Sequence, residues 1–238
     1  MLKIEDLGFS FPNCPPVFEH LSFELKKDDS LAIFGESGAG KTTLAYIIKK
    51  IIPLLMKGTL TGKIFFHEKP IKQYRFEELN KRIGMMMPNP ESYMFTQTVY
   101  DEIMFAVRNY GLPKTNVDSV LDYLGIRSLK DRPPQNLSSG HKQLVSLAMV
   151  LATRPEIIIL DEPNLHLDFR GEEKLVSVIK NLKKDEGISF IIIGHDAHFA
   201  TEIAERALYL GKNGHRFGNI SEFTESITLI SWKKEFYL

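Results

Sequence analysis

The chain has 238 residues, with 30 Lys and Arg against 30 Asp and Glu and a formal net charge of zero. That balance supplies no basic field, so the expectation is no nucleic-acid partner. One cysteine, Cys14, excludes an internal disulfide and fits a reducing compartment; residues 1–6 carry no signal-peptide core, and no stretch approaches roughly 20 uninterrupted apolar residues.

The first third reads as β-rich, with alternation over Leu21-Ser22-Phe23-Glu24-Leu25, an apolar strand over residues 31–34 and another strand over 62–66. Directly after residue 34 stand Gly35, Glu36, Ser37, Gly38, Ala39, Gly40, Lys41, Thr42 and Thr43. Glycines without a Cβ let the backbone curl around an anion and aim its N–H groups inward. Lys41 supplies a point charge for β- and γ-phosphates, and Thr42 a hydroxyl for Mg²⁺. A helix over residues 41–52, stopped by Pro53, would face the phosphates with its N-terminus. The pattern predicts a nucleoside triphosphate site.

Residues 91–136 read as mixed helical, with helices over 99–110 and 117–124, each closed by a Gly. After Pro133-Pro134 comes Leu137-Ser138-Ser139-Gly140-His141-Lys142-Gln143, opening a helix over 142–152 that Ser138 or Ser139 caps. A Ser-Ser-Gly at a helix start can be a simple N-cap or a second anion site, and physics alone leaves the two even. One ATP does not need two such helix starts on one chain, so a second site would serve a nucleotide held by another subunit.

Two apolar strands follow, 157–160 and 189–193, joined by a helix over 171–184; apolar on both faces, they predict a parallel α/β core with the 91–136 helices inserted. Asp161 and Glu162 stand at the carboxyl end of the first, where open α/β sheets bind ligands. Asp161 would hold the Mg²⁺ shell through water, and Glu162 would orient or deprotonate an attacking water. His195 follows the second strand, placed to reach a γ-phosphate or the water.

Taken in order, the 35–43 loop, Leu137–Gln143, residues 157–163, Leu167-Asp168 and His195 resemble the ATP-binding cassette ATPases over nearly the whole chain. The resemblance implies a P-loop NTPase fold with a parallel core sheet, an N-terminal antiparallel β-subdomain and an inserted α-helical subdomain. It implies one domain, with a core of 1–87 and 155–215, helices over 88–154 and a short tail of 216–238. It further implies that two such ATPases meet head-to-tail, which decides the even contest at Ser138, Ser139, Gly140 and His141 in favour of a partner's ATP. Phe11 would stack on adenine.

Asn89-Pro90-Glu91-Ser92-Tyr93-Met94-Phe95 and Thr98–Ile103 look like the corresponding segment of energy-coupling-factor and cobalt/nickel-type importer ATPases. Those enzymes drive vitamin or metal-ion uptake through an integral membrane coupling protein and a substrate-binding membrane protein, at the cytoplasmic face of the membrane. Five departures stand out. Pro88 replaces the expected glutamine, with Asn89 as its only neighbouring stand-in; Ser139 replaces a glycine; His141 replaces a glutamine; Asn164-Leu165-His166 replace small residues before Leu167-Asp168; and Gly194 precedes His195 in place of Thr or Ser. Retained Glu162 and His195 imply a hydrolysing site, and Ser139 implies an unequal, heterodimeric partner. The competing readings are a soluble cassette ATPase acting on nucleic acid or ribosomes, and a weakly active nucleotide-binding regulator.

Overall fold

The computed structural model of the chain describes residues 1–211 and 214–223. Its elements begin with β1 (Leu2–Ser10), β2 (Pro16–Leu25), β3 (Ser30–Gly35), α1 (Lys41–Ile48), α2 (Ile51–Leu54), β4 (Thr59–Phe66), β5 (Lys69–Pro70) and α3 (Phe76–Arg82). Next come β6 (Ile83–Met86), α4 (Val99–Asn109), α5 (Thr115–Tyr123), α6 (Ser139–Leu151), β7 (Ile157–Asp161) and α7 (Phe169–Glu186). The last are β8 (Ser189–Ile193), α8 (Ala197–Thr201), β9 (Arg206–Gly211) and β10 (Gly214–Asn219). They fall into two compact units: Met1–Asn80 with the chain from Ser189 onward, and Lys81–Ile188.

In the first unit, β2, β1, β4 and β5 form an antiparallel sheet in that order. Ile4 sits opposite Phe23 on one side and Ile64 on the other, and all three are buried, so the alternation read in the sequence marks one inward face. The second sheet of this unit has β3 at its centre, parallel to β8 and β9 on its two flanks, with β10 antiparallel to β9. Every residue of β3 and β8 is buried, which explains why neither alternates. Ile33 pairs with Ile193, so the carboxyl ends of β3 and β8 lie side by side. The expected tail begins inside β10, and residues 224–238 lie outside the described residues.

The first helix is shorter than the sequence predicts. It ends at Ile48, Lys50 takes φ 58°, and Ile52 is extended at ψ 132°. Pro53 accounts for the extended Ile52, because its ring disfavours the helical region for the residue before it, while the left-handed turn at Lys50 has already ended the helix. Beside this break, Lys49 is buried, and desolvation pushes its ammonium down to about 7. Between pH 7 and its ordinary 10.5 the unfolded chain therefore binds the extra proton, so the burden on the fold is full below pH 7 and gone above 10.5. Lys49→Met is expected to remove this pH dependence, so that its stability relative to the parent is highest at neutral pH and falls as the pH rises through that window. Denaturant midpoints across pH check it, and a gain that does not change with pH contradicts it.

In the second unit β6 and β7 pair in parallel, from Ile83 opposite Ile157 to Met86 opposite Leu160. The four residues of β6 are too few to reveal a period. Val99, Ile103 and Val107 bury one face of α4 at helical spacing. Gly111 and Gly125, both at positive φ, close α4 and α5 as the sequence suggests. The helices expected over 88–154 lie in this unit together with β6, β7 and α7.

Candidate functional site

The phosphate loop joins β3 to α1 within the first unit. Gly35 closes the strand at φ 150°, where an added Cβ would overlap the Leu210 carbonyl oxygen. Gly40 opens the helix at φ 91°, and its Cβ would overlap Val17 Cγ1 and stand 3.1 Å from Phe18 Cδ1. Ala39 N–H donates to the Glu36 carbonyl at 3.1 Å, which turns the exposed Glu36-Ser37-Gly38 tip. The Lys41 ammonium donates back to the carbonyls of Gly35 at 2.8 Å and Glu36 at 3.1 Å, so its charge is held over the loop.

No side chain caps α1, because its N-cap is Gly40. By contrast α4, α6 and α7 are capped by Thr98, Ser138 and Asp168. A helix start left to an external acceptor is a phosphate-binding arrangement, and the glycine cradle with Lys41 and Thr42 fits a triphosphate and its Mg²⁺. Two substitutions separate space from strain in this cradle. Among the described residues nothing lies within 4 Å of a Cβ at Gly38, which is at φ 81°. Gly38→Ala is therefore expected to cost about 1–2 kcal/mol from backbone conformation alone. Gly40→Ala adds an overlap of about 1–3 kcal/mol on top of that strain. Equal shifts in denaturant midpoint would contradict the packing described.

His195 belongs to the same unit. Gly194 N–H donates to the Ile33 carbonyl at 3.3 Å, continuing the β3–β8 register, so half-buried His195 emerges at the sheet edge from which the phosphate loop departs. Asp196 then caps α8 by accepting from Phe199 N–H at 3.0 Å. Phe11 is half-buried and edge-on to the core residue Phe9, with centroids 4.9 Å apart.

The other predicted residues lie in the second unit. Asp161 ends β7 and is buried; Glu162 follows in a left-handed conformation at φ 50° and is half-buried. That conformation costs an ordinary side chain about 1–2 kcal/mol and turns the chain sharply away from the strand. Pro88 and Asn89 follow β6 at the matching end of the parallel pair, Asn89 exposed at φ 55°. Ser138, not Ser139, caps α6: its Oγ accepts from His141 N–H at 3.4 Å and lies 2.9 Å from His141 Nδ1. Ser138, Ser139, Gly140 and His141 line one cleft of about 320 Å³ with His166 and Arg170. The starts of α6 and α7 thus share one opening with several cationic or protonatable side chains.

Residues 18–165 match the ABC transporter family. The chain belongs to that family. The ATPase is 35% identical over 231 residues to the ABC transporter ATP-binding protein PH0132 of Pyrococcus horikoshii, covering 94% of this chain and 86% of that one. It is 34% identical over 222 residues to YkoD of Bacillus subtilis, an ATP-binding protein assigned to HMP/thiamine import. That match covers 91% of this chain and 41% of YkoD, so the ATPase spans less than half of that relative. Among solved structures, cbiO1 of Clostridium perfringens, part of the ABC transporter complex cbiONQ, superposes with a TM-score of 0.85 at 29% identity. The superposition covers 99% of this chain and 95% of cbiO1. The ATPase is accordingly an ATP-binding subunit with the ABC ATPase fold, as the sequence implies.

Sequence reading missed several side chains that shape the second unit. Buried Glu102 accepts through Oε2 from the N–H groups of Phe95 at 3.0 Å and Thr96 at 2.9 Å, and from Thr96 Oγ1 at 2.8 Å. At the start of α4 the Thr98 hydroxyl donates to Asp101 Oδ2 at 2.7 Å and accepts from the Asp101 N–H at 3.1 Å. Nothing in the spacing distinguished Glu102, next in line, as the one that turns inward.

Proposed function

We propose that the ATPase is the hydrolysing subunit of an importer of the energy-coupling-factor type, moving a vitamin or metal ion. Its partners are a second cassette ATPase, an integral membrane coupling protein and a substrate-binding membrane protein, and it works at the cytoplasmic face of the membrane. The observation that supports this most directly is the likeness, over almost the full length of both chains, to a subunit of a transporter complex. Among the described residues no helix is long and apolar enough to cross a membrane, which fits attachment through a partner. Phe95 and Phe105, 64% and 44% exposed and edge-on at 5.1 Å, supply an apolar patch for such docking beside the Asn89 segment.

In this reading the 35–43 backbone, Lys41 and Thr42 hold the triphosphate, and Phe11 packs on the adenine. Asp161 holds the Mg²⁺ shell. Bound Mg²⁺ neutralises phosphate charge as the γ-phosphoryl is lost. Glu162 orients the water that attacks the γ-phosphorus and accepts its proton, while His195 donates to a γ-phosphate oxygen. Ser138, Ser139, Gly140 and His141 serve the nucleotide of the partner ATPase. Ser139 places a side chain where that nucleotide needs room, which supports two unequal subunits. Asn89 is the polar group nearest in sequence to Pro88, which itself offers no side-chain donor or acceptor.

Pro88 and Ser139 also favour a second reading, a weakly active regulatory subunit. Steady-state hydrolysis by the purified ATPase alone and with its co-purified partner separates the two. The account expects slow turnover alone and a large rise with the partner. Full turnover as a homodimer contradicts unequal pairing, and no turnover in either case favours the regulator.

A further inference from the structure

Two side chains on α6 grip the segment that follows Pro88. Lys142, buried in the first turn of α6, donates from Nζ to Glu91 Oε1 at 2.7 Å. One turn on, buried Ser146 meets the Tyr93 hydroxyl at 2.6 Å. Tyr93 donates its single proton to the Met87 carbonyl at 3.2 Å, which leaves Ser146 as the donor in their bond. Residues four apart lie on one helix face, so the two grips act as a pair. Beyond them, Glu102 on α4 fixes the backbone of Phe95 and Thr96. The segment from Met87 to Thr96 is thus tied at Glu91 and Tyr93 to the helix whose first turn carries Ser139, Gly140 and His141.

These ties have a chemical setting. Proline at 88 has no side chain able to sense a nucleotide or its metal, so that residue cannot report site occupancy to the segment it begins. A charge-assisted bond from a buried ammonium resists stretching more than a neutral bond does. The Lys142 ammonium also holds the Glu91 carboxyl below the usual carboxylate range, with His166 adding to it. A displacement of the α6 start is therefore carried to Glu91 and Tyr93, and from them along a short fixed segment to the exposed Phe95 ring.

We propose that Lys142 and Ser146 are positioning residues that couple the Ser138–His141 turn to the Met87–Thr96 segment and its Phe95 docking patch. The proposal rests on the reading of that turn as the anion site for a partner's nucleotide. Neither residue touches nucleotide; each acts through Glu91 or Tyr93.

The test is peptide-resolved amide hydrogen exchange on the ATPase within its purified membrane complex, with Glu162→Gln to hold ATP. In the parent complex, ATP is expected to alter exchange both in the first turn of α6 and in residues 89–96. Lys142→Met combined with Tyr93→Phe is expected to keep the α6 response and lose the 89–96 response. The exchanged pair Lys142→Glu with Glu91→Lys is expected to restore it, which a variant that merely fails to fold cannot do. A double variant that retains the 89–96 response overturns the proposal while leaving the anion-site reading intact. A parent complex with no α6 response overturns that reading and the proposal with it.

Discussion

Glu162→Gln is expected to lower steady-state ATP hydrolysis by roughly 10²–10⁴-fold while leaving nucleotide binding intact. The carboxylate stands one residue past buried Asp161, where β7 ends and the backbone turns left-handed. The amide keeps the shape but cannot take up the proton of the attacking water, so ATP should accumulate on the enzyme. Paired measurements of turnover and of bound, unhydrolysed ATP check this. Undiminished turnover would remove Glu162 from the role assigned to it. Asp161→Asn should act differently, weakening Mg²⁺-dependent binding, because its proposed part is to hold the metal shell.

Lys41→Ala has the second large effect, and it falls on binding. The ammonium now spans the carbonyls of Gly35 and Glu36, which keeps the loop curled and presents positive charge at its mouth. Bonds to a charged group contribute about 1.5–3 kcal/mol each, so losing this one cation should weaken ATP affinity by about ten- to a hundredfold. Equilibrium binding of a fluorescent ATP analogue gives the number. Unchanged affinity would mean that the backbone cradle alone holds the phosphates.

What could be read from the sequence follows from how local each determinant is. The phosphate loop was legible because its glycines, Lys41 and Thr42 do their work within nine residues, between a strand and a helix adjacent to them. Strands β7 and β8 were legible because burial on both faces leaves an unbroken apolar run. Ser138 acts as a cap over three residues, a distance that pattern reading spans.

Long-range pairing was not legible. Strand β10, Gly-His-Arg-Phe-Gly-Asn, has little strand character of its own and is a strand because β9 offers it an edge. The ties from Lys142 to Glu91 and from Ser146 to Tyr93 join residues 51 and 53 positions apart, and each side chain alone looks like ordinary helix surface or loop. The same holds for Gly40, whose intolerance of a side chain comes from Val17 and Phe18. The end of α1 was misjudged because Lys50 and Ile52 leave the helical region before Pro53 is reached. Residue types carry the site chemistry that the sequence leads one to expect, whereas the positioning of those residues depends on contacts between distant parts of the chain.

In the function proposed above, this ATPase works as one of two nucleotide-binding subunits attached to a membrane protein. This arrangement is tested most directly by isolating the tagged chain from solubilised membranes and measuring subunit composition and ATP hydrolysis on the same preparation. The account predicts a hydrolysing complex in which a second, non-identical cassette ATPase and an integral membrane protein are present in fixed ratio. It also predicts that Glu162→Gln silences most of that activity. A chain recovered only from the soluble fraction, hydrolysing ATP at full rate with no other subunit, would contradict it.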